Sequence, residues 1–141
     1  MKKALGWLAM AALLGALLWA LSTWPLVNVV ETGRTPEYPD LRVRTYSATP
    51  ARIGAAVRDA LAGHTRWTLV GSGEGPAGVV VSVVHETALL PLKEDVTVTA
   101  RRSGGRTVVS VRSQSRAGPW DLGQNARNIR QIFQVLDGEL R

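Results

Sequence analysis

Between Lys3 and Glu31 the chain carries no charged residue, and Ala4 to Trp24 is dominated by Leu, Ala and Trp. A bilayer-crossing helix needs about 20 apolar residues, which this stretch supplies before Pro25 disfavours further helix. Trp7 and Trp24 stand near its two ends, where indole rings settle at membrane interfaces. Residues 1–26 therefore read as a membrane anchor or a signal peptide. Ala20-Leu21-Ser22 offers the small residues a signal peptidase accepts. The apolar run is nevertheless longer than the roughly 7–15 residues of a signal peptide's core, which favours a retained anchor. Ala12, Ala16 and Ala20 recur at i, i+4, a spacing that lets helices approach closely and that also follows from alanine being common here.

Beyond the anchor the pattern changes. Residues 27–40 hold Gly33, Pro36 and Pro39 among polar residues with neither hydrophobic period, which predicts an extended linker. The folded domain is expected over 41–141. Val43 and Thr45 alternate with Arg42, Arg44 and Tyr46 as a short first strand. Thr49-Pro50 marks a helix start, a hydroxyl cap followed by proline at the first helical position. Ile53, Ala56, Val57, Ala60 and Leu61 then form one apolar stripe, and Gly63 is placed to end the helix in a left-handed conformation. Trp67 and Leu69 open a second strand, Gly71 to Gly78 reads as a mobile turn, and Val79 to Thr87 is a β-branched third strand.

Lys93 to Arg101 and Arg106 to Gln114 flank Arg102-Ser103-Gly104-Gly105 as a hairpin. Pairing Arg101 with Arg106 sets Val96 against Val111 and Val98 against Val109 on one face, with Asp95 against Arg112 on the other. Asp121 is placed to cap a last helix, with Gln124 three residues on in a capping-box pattern. Leu122, Ala126, Ile129, Ile132, Phe133 and Leu136 recur on one side as far as Asp137-Gly138, turning Arg127 and Arg130 outward. The predicted fold is α+β in the order β-α-β-β-β-β-α: an N-terminal transmembrane helix, then a two-layer domain whose mainly antiparallel five-stranded sheet carries two helices.

Charge narrows the function classes. The net charge is +6, of which Lys2 and Lys3 supply two. Those lysines, set against Glu31 and Arg34 beyond the apolar run, place the N-terminus in the cytoplasm. The expected location is a single-pass inner-membrane protein with its domain outward in the periplasm, or a secreted one if the segment is cleaved. Binding to nucleic acid is not expected, because apart from Arg101, Arg102 and Arg106 around one tight turn the domain's arginines are scattered singly, and only Trp67, Trp120, Tyr38, Tyr46 and Phe133 could stack on bases. With no cysteine and only His64 and His85, no disulfide or thiolate site is possible. No metal-ligand spacing, P-loop or dinucleotide fingerprint is present, so neither metal nor cofactor is expected. Glu94 and Asp95 are neighbours on a strand and point to opposite faces, which disfavours a carboxylate pair, and no catalytic residue is assigned.

The densest polar stretch runs from Arg112 to Ala126. Asp95, Arg112, Ser113, Ser115, Arg116, Asp121 and Asn125 form a candidate cluster, either for binding an anion or head group at a helix start or for purely structural pairing. A carboxylate already capping that start repels an anion, which favours the structural reading.

Tyr38-Pro39-Asp40-Leu41, Glu94-Asp95-Val96, and above all Val111-Arg112-Ser113-Gln114-Ser115-Arg116 followed by Gly118, Asp121, Gly123, Asn125-Ala126 and Ile129, resemble the bacterial domain of unknown function 1499 family. The chain departs from that pattern at Leu90-Pro91-Leu92-Lys93-Glu94, where members often carry an aromatic residue and a second aspartate. The resemblance implies a small, often membrane-tethered envelope domain and brings no activity or ligand with it. Three functions are weighed on this basis: a non-catalytic module binding an envelope protein or lipid, a carrier or sensor of an apolar ligand held under the last helix, and an envelope hydrolase.

Overall fold

The computed structural model describes residues 2–88 and 91–140, so Leu90 lies outside the described residues. Helix α1 (Lys2–Thr23) comes first. Its Gly6–Thr23 stretch has a mean hydropathy of 1.6 and none of it is buried. By length and composition it can cross a membrane, and a signal sequence passes the same test.

The domain follows as β1 (Val29–Glu31), β2 (Arg44–Tyr46), α2 (Pro50–Ala62), β3 (Trp67–Gly75), β4 (Gly78–Glu86), β5 (Lys93–Ser103), β6 (Arg106–Ser115) and α3 (Gln124–Glu139). The sheet is antiparallel in the order β1-β6-β5-β4-β3, and β2 also pairs with β6. It therefore has six strands where the sequence predicted five. The two short strands share one edge, β1 along Arg112–Gln114 and β2 along Thr107–Val109.

The extra strand comes from the segment expected to be linker. Val30 and Thr32 are buried, and Thr32 exchanges hydrogen bonds with Val111, its amide donating to the Val111 carbonyl at 3.0 Å and its Oγ1 accepting from the Val111 amide at 3.1 Å. Residues 33–41 fold back, with the Gly33 amide donating to the Leu41 carbonyl and Arg130 on α3 pairing with Asp40 at 2.8 Å. Three residues are too few to show a hydrophobic period, so the strand owes its existence to partners far along the chain. Nearby, β2 buries Tyr46 and leaves Val43 exposed, the reverse of the phase expected from Val43 and Thr45.

Both helices cover the same sheet face, where alternate residues of β4, β5 and β6 (Val79, Val81, Val83; Val96, Val98, Ala100; Val109, Val111) meet Ile53 and Val57 of α2 and Ile129, Ile132, Phe133 and Leu136 of α3. Burying each such side chain stabilises the fold by roughly 1.5–3 kcal/mol. The Thr49 hydroxyl caps α2, accepting from the Arg52 amide at 3.3 Å, with Pro50 at the helix start as predicted. Gly63 ends that helix at φ −83, a right-handed conformation and not the expected left-handed one. The glycine-rich stretch is also more ordered than predicted: β3 runs to Gly75 across an irregularity between Leu69 and Gly71, leaving only Pro76-Ala77 between it and β4.

The β5–β6 hairpin closes through Gly104-Gly105, at φ +53 and +82, the backbone signature of a tight two-residue turn. Ser103 thus pairs with Arg106, and the register stands two residues from the predicted one. Because side chains alternate with period two, this shift preserves the faces and changes the partners. Val98 now faces Val111, Ala100 faces Val109, and Asp95 lies opposite Gln114, not Arg112.

Candidate functional site

The predicted polar cluster divides into three groups. At the centre, Asn125 on the first turn of α3 is fully buried beneath the end of β6. Its Oδ1 accepts from the Ser113 hydroxyl at 2.7 Å, and its Nδ2 donates to Ser115 Oγ at 3.1 Å and to the Asn28 carbonyl at 2.9 Å. Asn128, one turn on, donates to Ser113 Oγ at 3.3 Å and accepts from Gln124 at 2.8 Å. The Asn28 carbonyl also receives the Ser115 amide at 2.9 Å, and the Asn28 side chain donates to the Gly118 carbonyl at 3.1 Å. Last strand, last helix and the segment leaving α1 are thus joined by one buried network. Asn28 and Asn128 are members the sequence reading missed. Asn128 lies three residues after Asn125, on the same side of the helix, and that spacing was the available signal.

Asp121 holds the helix start from a position different from the one expected. Helix α3 begins at Gln124 with Gly123 before it at φ +76, and the Asp121 carboxylate accepts from the amides of Gly123 at 2.8 Å and Asn125 at 2.6 Å. Gln124 forms no capping box and instead engages Asn128 and Arg127. Leu122, expected in the buried stripe, is about half exposed and is the one non-glycine residue with a positive φ, at 50°, among the described residues. The Asp121 amide donates to the Val27 carbonyl at 3.1 Å, and the Trp24 indole lies against Gly123.

The third group is exposed. Arg116 grips Asp95 through both carboxylate oxygens at 2.6–3.1 Å, taking the partnership expected of Arg112. The guanidinium beside it holds the Asp95 carboxyl below its usual range, mainly through these hydrogen bonds, and Arg116 is correspondingly raised. Arg112 donates to Gln114 Oε1 at 2.7 Å on the sheet face that neither helix covers. The seven predicted residues therefore do not converge on one cleft.

A second polar centre escaped the sequence reading. His85 Nδ1 and Glu94 Oε2 are 2.8 Å apart with both side chains nearly fully buried, and the imidazole packs on Trp67 with ring centroids 4.7 Å apart. His64, Thr65, Arg66, Trp67, His85 and Gln131 line a small cleft there. The signal was phase: His85 follows the buried alternation Val79, Val81, Val83, and Glu94 precedes Val96, Val98, Ala100. Glu94 also lies opposite Ser115, so His85, Glu94 and Ser115 occupy adjacent strands in that order. The His85 and Ser115 backbones are then two strand spacings, roughly 10 Å, apart, with the Glu94 strand between them. Nucleophilic catalysis of the serine, histidine and carboxylate type requires the histidine between the other two. Among the described residues no group of three or more His, Asp or Glu side chains could hold a metal ion.

A third cluster ties β2 to the end of α3. The Tyr46 hydroxyl donates to Asp137 Oδ1 at 2.9 Å, Arg44 pairs with the same carboxylate, and the Arg44 guanidinium lies 4.4 Å from the Phe133 ring centroid. Burial, followed by the Asp137 hydrogen bond, pushes the Tyr46 phenol up to about 12.

Among solved structures the chain is similar to a crystal structure of a Chromobacterium violaceum protein at 14% identity and a TM-score of 0.44, over 80% of this chain and 97% of that one. It is also similar to a crystal structure of Ara h 8.0201 at 13% identity and a TM-score of 0.35, over 79% of this chain and 96% of the other. No curated protein matches. A family model described as a protein of unknown function, DUF1499, matches residues 21–136, a range that begins inside α1 and takes in β1, the buried network and most of α3. With most of its length matched, the chain belongs to the DUF1499 family.

Proposed function

We propose that this chain is a membrane-tethered, non-catalytic binding module of the cell envelope, anchored by α1 with its domain facing outward. The observation that carries this reading is the seam at Val27 and Asn28, which fixes the domain to the segment leaving α1 without a flexible tether. A chain built to reach distant partners has a free linker, whereas here the domain takes up the chain within a few residues of the helix end at Thr23. The polar residues that could have served chemistry are engaged in pairing and capping, and Ile129, Ile132, Phe133 and Leu136 occupy the space beneath α3 where an apolar ligand would lie. The surface left to a partner is the uncovered sheet face, with Asp95, Arg101 and Arg112 exposed.

Two measurements test the proposal. In spheroplasts, added protease is expected to digest the domain while a membrane-bound fragment containing α1 survives. Recovery of the intact full-length chain in the soluble cytosol would overturn the tether. Crosslinked partners captured by the wild type should be lost from a variant carrying Arg112→Ala and Arg116→Ala, and an unchanged partner set would remove that face as the contact surface.

A further inference from the structure

We infer that the loop joining β6 to α3 is a second membrane contact, seating the domain on the same bilayer that α1 crosses. The inference rests on the tether proposed above. Helix α1 ends at Thr23, so Trp24 stands at the outer interface, the depth at which indole rings settle. Whatever packs on Trp24 shares that depth. Its indole lies against Gly123, the Val27 carbonyl receives the Asp121 amide, and the Asn28 side chain donates to the Gly118 carbonyl, so the loop runs alongside the chain as it leaves the helix.

The loop, through Trp120 and Leu122, and the segment leaving α1, through Leu26, present apolar side chains at that level. Leu26, Trp120 and Leu122 are 70%, 43% and 49% exposed. Leu122 reaches this position through a positive φ of 50°, a conformation that is costly for a leucine. The domain covers only about half of this leucine, and a lipid boundary would bury the rest. Arg127 is exposed beside it, its guanidinium on the Leu122 carbonyl at 3.0 Å, where it meets lipid phosphate oxygens. Tryptophan and leucine flanked by arginine, around the point of exit of a hydrophobic helix, match the chemistry of the head-group boundary.

The chain has no cysteine, so single cysteines report position without background. Full-length variants Leu122→Cys, Trp120→Cys, Ser103→Cys and Leu17→Cys, each carrying an environment-sensitive fluorophore, are reconstituted into phosphatidylethanolamine and phosphatidylglycerol vesicles containing lipids spin-labelled near the head group or deep in the acyl chain. Ser103 is the distant reference, at the opposite end of β5 from the strand ends beside the loop, about 33 Å away at 3.3 Å per residue. The expected result is strong quenching by head-group nitroxides at positions 122 and 120, quenching by acyl-chain nitroxides at 17, and almost none at 103. If 122 and 120 match 103 while 17 is quenched, the seating is overturned and the tether stands. If 17 is also unquenched, the tether fails and takes the seating with it. Shielding of 122 and 120 from water without lipid quenching would assign the loop to a second copy or another protein and refute the inference.

Discussion

Truncating Asn125 to alanine tests whether the buried network holds the domain together. Three side-chain hydrogen bonds disappear, to Ser113, Ser115 and Asn28. At about 1 kcal/mol net for each, the direct loss is about 3 kcal/mol. The losses fall unevenly. The Asn28 carbonyl keeps the Ser115 amide and Ser113 Oγ keeps the Asn128 donor, but the fully buried Ser113 hydroxyl loses its acceptor, which adds about 1 kcal/mol. The expected destabilisation is about 4 kcal/mol, close to a thousandfold in the unfolding equilibrium. Against a domain stability of roughly 5–15 kcal/mol, that is a large share. Equilibrium urea unfolding of the full-length chain in mild non-ionic detergent, followed by tryptophan fluorescence in which Trp67 is the buried reporter, should show the midpoint fall by about 2–3 M for a slope of about 1.5 kcal/mol per M. Ser113→Ala combined with Asn125→Ala should cost less than the sum of the single changes, by about 1 kcal/mol. A midpoint shift below about 0.7 M, or strict additivity in the double variant, would refute the network as a source of stability.

Gly78→Ala should be severe. At φ +122 its Cβ would stand 2.0 Å from the Ala100 carbonyl oxygen, so a loss of about 3 kcal/mol or more is expected in the same assay, and a neutral effect would contradict the β4–β5 geometry. His85→Leu alone leaves Glu94 buried without its partner, for a loss of about 3–5 kcal/mol, while His85→Leu with Glu94→Leu should recover most of it; equal destabilisation by both variants would deny the pairing. Tyr46 is raised to about 12, so its contribution is fully present below the ordinary tyrosine value near 10 and is lost as pH climbs through about 12. Tyrosinate absorbance of the native chain should therefore develop later than in the urea-unfolded chain, and Tyr46→Phe should delete the latest component. Coincident titrations in the native and unfolded states would show that the phenol is not held by burial and Asp137.

Periodicity carried the reading wherever an element was long enough to repeat. Alternating valines of β4–β6 and the Ile129 to Leu136 stripe of α3 are buried as their spacing predicts, because hydrophobic phase is a local property with a global consequence. The hairpin shows where such reading stops. Faces survive a two-residue shift, so the core residues were correct, while the partner of Asp95 was not, since register depended on both glycines of the turn adopting positive φ. Segment 27–40 differs from its expected linker for a related reason: Val29–Glu31 has no period of its own and is a strand because β6 pairs with it, while Asn125 holds the Asn28 carbonyl just before it. In the candidate site, the residue types at Ser113, Ser115, Asp121 and Asn125 pointed to a polar junction, but not to its being turned inward. His85 and Glu94 were present in the buried phase of their strands, overlooked because polar residues are not expected there.

The pairing of β1 with β6 also orders the events of synthesis. Val29–Glu31 emerges from the ribosome well ahead of Arg112–Gln114, its partner in the sheet. The β3–β4, β4–β5 and β5–β6 hairpins join neighbours along the chain and can form as each is completed, whereas the first strand must wait for the last strand and for Asn125 behind it. A nascent chain thus carries an unpaired β1 until β6 is made, and a truncation before β6 leaves β1 without its partner and the edge of β5 free to pair with another molecule.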